Sequence, residues 1–168
     1  MTDHDRLKRA VIQCSLPAAL EAMGERWSFM ILRGAFNGIS HFEQFQSTLG
    51  IARNILANRL TRLVGHGILE RRDCVEDRRK VIYRLTAKGE ALLPTLIALR
   101  QWGETWEAGL PSNPVLVDAR DGRPVADIVV RAHDGRPLTL HDLRWVDRAT
   151  LEAGAAICFY EGTPVPAK

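Results

Sequence analysis

Helical spacing of apolar positions begins after Pro17, a residue suited to the first turn of a helix, with Leu20 and Met23 following before Gly24. A second apolar helix is predicted from Trp27 through Phe29, Met30, Ile31 and Leu32 to Phe36, stopped by Asn37-Gly38. Ser40 is predicted to cap a short helix, with Glu43 three residues later completing a capping box. Phe42, Phe45 and Leu49 give that helix its buried stripe, and Gly50 ends it. The next helix, from about Ala52 to Val64, places Ile55, Leu56, Leu60, Leu63 and Val64 on one face.

After Gly65-His66-Gly67 the period shortens from helix to strand. Residues 68–72 and 81–85 read as two strands around the charged tip Glu76-Asp77-Arg78-Arg79-Lys80. Thr86 starts a long helix through Leu92, Leu93, Leu96, Leu99, Trp102 and Trp106, ending near Gly109. Its apolar stripe exceeds what a small domain needs for its own core, so it is predicted to pack, with the N-terminal helix, on a second copy of the chain. Pro111-Ser112-Asn113-Pro114 marks a boundary. Beyond it Ala119-Arg120-Asp121-Gly122-Arg123-Pro124-Val125 recurs as Ala132-His133-Asp134-Gly135-Arg136-Pro137-Leu138, and Asp-Gly flanked by alternating apolar residues is a hairpin signal. A three-strand meander is expected from residues 115–117, 125–130 and 138–140, packed on the winged domain or its partner because so few strands rarely stand alone.

The pattern gives an α+β class, mostly α: residues 1–110 as a helix-turn-helix with a hairpin and flanking dimerisation helices, and residues 111–168 as a small β-rich extension. Two helices joined by a turn at Gly50-Ile51, followed directly by a hairpin with a cationic tip, are the layout of a winged helix-turn-helix.

Charge sharpens this picture. The net charge is only +3, yet residues 50–84 carry nine Arg or Lys against four Asp or Glu, whereas residues 110–168 carry seven against eight. An excess confined to one stretch is the electrostatic footprint that phosphate requires. The outward face of the helix at Ala52 to Val64 shows Arg53, Asn54, Ala57, Asn58, Thr61 and Arg62, without an acid. Arg forks onto guanine and Asn onto adenine in the major groove. Arg53, Asn54, Ala57 and Asn58 are therefore the expected base-edge residues, and Arg62, Arg78, Arg79 and Lys80 the expected phosphate or minor-groove contacts.

Other chemistry is sparse. No nucleophile elbow, Gly-rich phosphate loop or paired-carboxylate constellation occurs, which argues against an enzyme. Cys14, Cys74 and Cys158 are odd in number and widely spaced, fitting neither a disulfide framework nor a zinc site, and His133, His141 and Cys158 match no standard ligand spacing. No cofactor or metal is expected. The apolar runs are too short to span a bilayer and the N-terminus lacks a secretion signal, so a cytoplasmic protein is expected.

The order of Cys14 before Pro17, Gly24-Glu25-Arg26-Trp27, Gly38-Ile39-Ser40-His41-Phe42, Gly50-Ile51, Gly67-Ile68-Leu69-Glu70-Arg71, Tyr83-Arg84-Leu85-Thr86-Ala87-Lys88-Gly89 and Trp102-Gly103 resembles the HxlR-type winged-helix regulators, relatives of the MarR type in architecture. The resemblance covers a little over half the chain. It implies a homodimer on double-stranded promoter DNA, acting as repressor or activator, with an electrophile or oxidant as effector in some members. It also makes Cys14, just ahead of a helix N-terminus and downstream of Lys8 and Arg9, the candidate redox-sensing thiol. The family commonly has Arg where His41 stands, and the tip residues 77–80 are closer to a MarR-type wing. An alternative reading keeps the winged fold as a dimerisation scaffold or small-ligand-sensing module without DNA specificity.

Overall fold

A computed structural model describes residues 14–74 and 81–146, together with Lys8, Ile12, Arg148 and Leu151. The described chain falls into two compact units, one from Ser15 to Ile128 and one holding Cys14 and the described residues from Val129 onward.

In the first unit α1 (Leu16–Met23) begins with a proline in its first turn, whose missing N–H costs nothing there. Gly24, with φ of 71°, ends it and returns its N–H to the Leu20 carbonyl at 2.7 Å. Next come α2 (Arg26–Phe36), α3 (Phe42–Leu49) and α4 (Arg53–Gly65). Gly50 closes α3 in the left-handed region, as expected for a glycine just past a helix end. The cap of α3 differs from expectation. His41, not Ser40, is the N-cap, and Gln44 rather than Glu43 reaches back, its Oε1 accepting from the His41 N–H at 3.2 Å.

The core lies where α2, α3, α4 and the hairpin meet. Ile31, Leu32, Phe45, Leu56, Leu60 and Leu63 are all buried to within 1%. The close approach of α2 to α3 depends on Gly34, where a Cβ would lie 3.1 Å from Phe45 Cε1. Strands β1 (Leu69–Asp73) and β2 (Val81–Leu85) pair antiparallel, with Leu69 opposite Leu85 and Asp73 opposite Val81. Leu69, Tyr83 and Leu85 pack into the core, whereas Arg71, Arg72, Asp73 and Arg84 are exposed.

The long helix predicted from Thr86 is interrupted. Thr86 caps α5 (Ala87–Glu90), its Oγ1 accepting from the Gly89 N–H at 3.1 Å, and α6 (Leu93–Gly103) starts separately. Pro94 is the reason: it cannot donate to the Glu90 carbonyl, and its ring would clash there in a continuous helix. A wider π-type turn (Glu104–Ala108) continues α6 to Gly109, whose φ of 61° ends it. No residue of α6 is fully buried, and Leu99, Trp102 and Trp106 are exposed, Trp106 by 73%.

The extension is laid out by turns more than by strands. Instead of a continuous three-strand ladder, it holds two isolated bridges, Val117 to Pro124 and Arg131 to Pro137, because each repeat places a proline where a donor is needed. In the first unit Asp121 Oδ1 accepts from the Arg123 N–H at 3.0 Å, and Gly122 takes φ of 71°. In the second, Asp134 Oδ1 accepts from the Arg136 N–H at 3.1 Å, and Gly135 takes φ of 88°. The sequence repeat is thus a repeat of one Asx-stabilised hairpin. Within the first unit α6 fastens the first copy: Arg100 donates to the Pro114 carbonyl at 2.6 Å, and Gln101 bonds the backbone of Ala126 and Ile128 at 3.2 and 2.9 Å.

Candidate nucleic-acid interface

The thirteen residues of α4 divide sharply by environment. Leu56, Leu60 and Leu63 recur at helical spacing and are buried, which drives the helix onto α2 and α3. Arg53, Asn54, Ala57, Asn58 and Thr61 lie on the exposed side. Ile55, expected on the core face, is 38% exposed, since it sits beyond the edge of the Leu56-Leu60-Leu63 row. The first turn of α4 carries no acid, so its unsatisfied N–H groups and the partial positive charge of the helix N-terminus favour an anion.

The exposed side chains are not equally constrained. The Arg53 guanidinium lies over the Phe42 ring, 4.8 Å from its centroid, so it is stacked on the first helix of the pair before any ligand arrives. Asn54 and Asn58 make no side-chain hydrogen bond among the described residues and keep both amide donors and acceptor available. Thr61 is turned inward, its Oγ1 donating to the Ala57 carbonyl at 2.9 Å. Arg62 is engaged: its Nη2 donates to the Glu21 carbonyl at 2.9 Å and to Glu21 Oε1 at 3.2 Å. Arg59, which the sequence reading passed over, pairs through Nε with Glu25 Oε1 at 2.7 Å. Its signal was weak because it falls at the border between the apolar and polar faces.

The base of the hairpin is joined to the start of α3. The Tyr83 N–H donates to the Ser40 carbonyl at 2.8 Å, His41 bridges to Ile82, and His41 Nδ1 lies 3.3 Å from the Val81 carbonyl. Where the family pattern has Arg, this ring therefore ties the hairpin to the helix pair. At the other edge the Thr86 N–H donates to the Ile68 carbonyl at 3.1 Å and its Oγ1 donates to the Gly67 carbonyl at 2.6 Å. Lys88 Nζ donates to the His66 carbonyl at 2.7 Å, closing the C-terminal end of α4 with a cation. Arg71 and Arg84 are exposed on the strands, and Arg72 pairs with Glu70 at 2.7 Å. Arg78, Arg79 and Lys80 lie outside the described residues, as does Cys158. Cys14, two positions ahead of α1, and Cys74, just after β1, are half-buried thiols.

A core helix pair, a second helix presenting Arg and Asn outward, and a hairpin braced beside it form a winged helix-turn-helix. The HxlR-like helix-turn-helix family model matches residues 22–109. An uncharacterised HTH-type transcriptional regulator of Mycobacterium tuberculosis, Rv3095, is 41% identical over 92 residues, which span 55% of this chain and 58% of that protein. The chain therefore matches only a little over half the length of that relative. The crystal structure of PA1607, a candidate transcription factor, is similar with a TM-score of 0.75 and 43% identity, over 84% of this chain and 99% of that one. That likeness takes in more of the chain than the family model does. The redox regulator HypR in its oxidised form is similar at a TM-score of 0.50 and 26% identity, over 55% of this chain and 96% of its own. On sequence and fold together, the chain belongs to the HxlR-like helix-turn-helix family.

Proposed function

We propose that the protein is a cytoplasmic, sequence-specific DNA-binding transcriptional regulator that acts as a homodimer. The observation that carries this reading is the two-sided character of α4: a buried leucine row and an outward face of Arg53, Asn54, Ala57 and Asn58 without an acid in the first turn. Inserted in the major groove, that face offers forked donors to guanine and amide pairs to adenine, with Ala57 allowing close approach. Arg78, Arg79 and Lys80 are the phosphate and minor-groove candidates, whereas Arg62, expected among them, is engaged by Glu21. The exposed apolar side of α6, with Leu99, Trp102 and Trp106, is the surface for a second copy, and residues 1–110 are the DNA-binding and dimerisation part with residues 111–168 as its extension. A two-fold dimer would present two α4 helices to half-sites about one helical turn apart.

The test is fluorescence anisotropy with duplexes selected by the protein from its source genome, at several salt concentrations, beside sedimentation of the free protein. Specific, salt-sensitive binding by a dimer is the expected result. Binding with no preference for the selected duplex over a scrambled one would favour a scaffold or ligand-sensing role.

Within this reading Cys14 is the sensing thiol for an oxidant or electrophile, a role supported by the likeness to HypR and by its partial exposure. Treatment with an oxidant should change DNA affinity in the native protein and leave Cys14→Ser unaffected. An equal response of both would remove Cys14 from the switch.

A further inference from the structure

We infer that Glu21 and Glu25 form a latch with Arg62 and Arg59 that fixes the rotation of α4, making these four side chains positioning residues for DNA recognition; the inference rests on the DNA-binding reading above. Apolar packing is non-directional. The buried row Leu56-Leu60-Leu63 sets the depth of α4 and the side it buries, while its fine rotation is fixed more sharply by directional contacts. Base reading needs donors held to about 0.5 Å. A second set of contacts, directional and to one side of the leucine row, is what such precision requires.

Arg59 and Arg62 supply it. Three residues apart, they share one flank of α4, and both reach the corner between α1 and α2. Arg62 takes the Glu21 carbonyl as well as its carboxylate. That carbonyl is among the last four of α1, which lack an intrahelical partner, so the guanidinium also meets the negative end of the helix. Glu25 stands at the N-cap position of α2 yet makes no side-chain cap there, its carboxylate being given to Arg59 instead. Arg59 is the more enclosed partner, with 21% of its side chain exposed. At the opposite end of α4, Arg53 on the Phe42 ring ties the helix to α3. The recognition helix is thus held at both ends, and α1 is tied to it by the latch.

The latch inverts the usual sign of a charge deletion. Glu21 and Glu25 are acids on the domain that meets DNA, so by Coulomb's law alone their removal should tighten binding to every duplex. If they position α4, their removal weakens binding to the specific site only. The experiment measures anisotropy of the full chain on a selected duplex and on a scrambled one, each across a salt series. Glu21→Gln and Glu25→Gln are each expected to lose roughly two- to fivefold on the selected duplex, the range for partly exposed ion pairs. They should change the scrambled duplex little. The exchange of Glu25→Arg with Arg59→Glu should recover most of the loss, whereas loss of fold would leave far-UV circular dichroism altered and no recovery. Arg62→Ala should lose specific affinity with an unchanged salt slope. Tighter binding of both duplexes by the Gln variants would overturn the latch, as would a drop of about one in the Arg62→Ala slope, which marks a phosphate contact. Absence of specific binding by the native protein would instead overturn the DNA-binding reading on which the latch depends.

Discussion

Gly89 carries a demanding steric prediction. It is buried at the point where α5 passes the entry to β1, and a Cβ built on it overlaps the Ile68 carbonyl oxygen and comes within 3.1 Å of Leu85 Cδ2. The obstacle is backbone, and that oxygen already accepts from the Thr86 N–H at 3.1 Å. Gly89→Ala must push α5 away from β1. Overpacking of this kind costs about 1–3 kcal/mol, and weakening a Thr86 to Ile68 hydrogen bond adds about 1 kcal/mol. The expected destabilisation is about 2–4 kcal/mol, a large share of the roughly 5–15 kcal/mol typical of a domain. In urea unfolding, with m of about 2 kcal/mol/M, the midpoint should fall by about 1–2 M. Gly65→Ala is the matched control. Gly65 ends α4 with open space around its missing Cβ, so alanine there should be neutral or stabilise by about 0.4–1 kcal/mol through the unfolded chain. If Gly89→Ala unfolded within about 0.5 kcal/mol of the native protein, the packing described for the α5–β1 junction would be wrong.

Phe45→Ala, which empties a fully buried site against Gly34, should cost about 3–5 kcal/mol in the same assay, and a loss below 1 kcal/mol would contradict its central place. Arg53→Ala or Asn58→Ala should lose about 1–3 kcal/mol on a selected duplex and relax base preference, whereas Lys80→Ala should weaken all duplexes alike and lower the salt slope by about one. Binding-site selection with each variant checks the difference. The Asp142 carboxyl is held below its ordinary value by hydrogen bonds from the Thr139 N–H and Oγ1, each 2.7 Å from Oδ2. A depressed folded-state value means the turn at Thr139 to Asp142 is supported above the ordinary aspartate range and loses this support as pH falls through the lower value. A carboxyl carbon NMR titration should place Asp142 below ordinary aspartates, and a midpoint at or above theirs would contradict these two hydrogen bonds.

The helix-turn-helix was legible because its signals agree: Phe45 and the leucines of α4 keep helical period, and Gly50 stands where a left-handed residue is needed. Strand pairing was equally clear from the change of period after Gly67. What escaped was set by single atoms or by distant partners. The missing N–H of Pro94 splits a stripe whose apolar periodicity runs on unbroken. Gln44 displaces Glu43 in the cap because the helix starts one residue later, which local sequence does not fix. The prolines of the repeats reduce an expected ladder to bridges. The partners of Arg59 and Arg62 lie 34 and 41 residues away, so only the fold could show that these guanidiniums are engaged within the chain. Residues Arg53, Asn54, Ala57 and Asn58 are exposed as the periodicity indicated.

The bracing of the hairpin at its base has a consequence for how such a regulator diversifies. Among the described residues its anchors, the Tyr83 bond to Ser40, the His41 bridge and the Thr86 N–H bond to Ile68, lie at the root, and the ladder runs out to Asp73 opposite Val81. None of these anchors uses a residue between 74 and 80. Doubling the length of such a connection costs only about 0.6 kcal/mol in closure entropy. The connection can therefore vary in length or charge while these root anchors stay in place, so that groove preference evolves, or is engineered by loop exchange, with the root still secured.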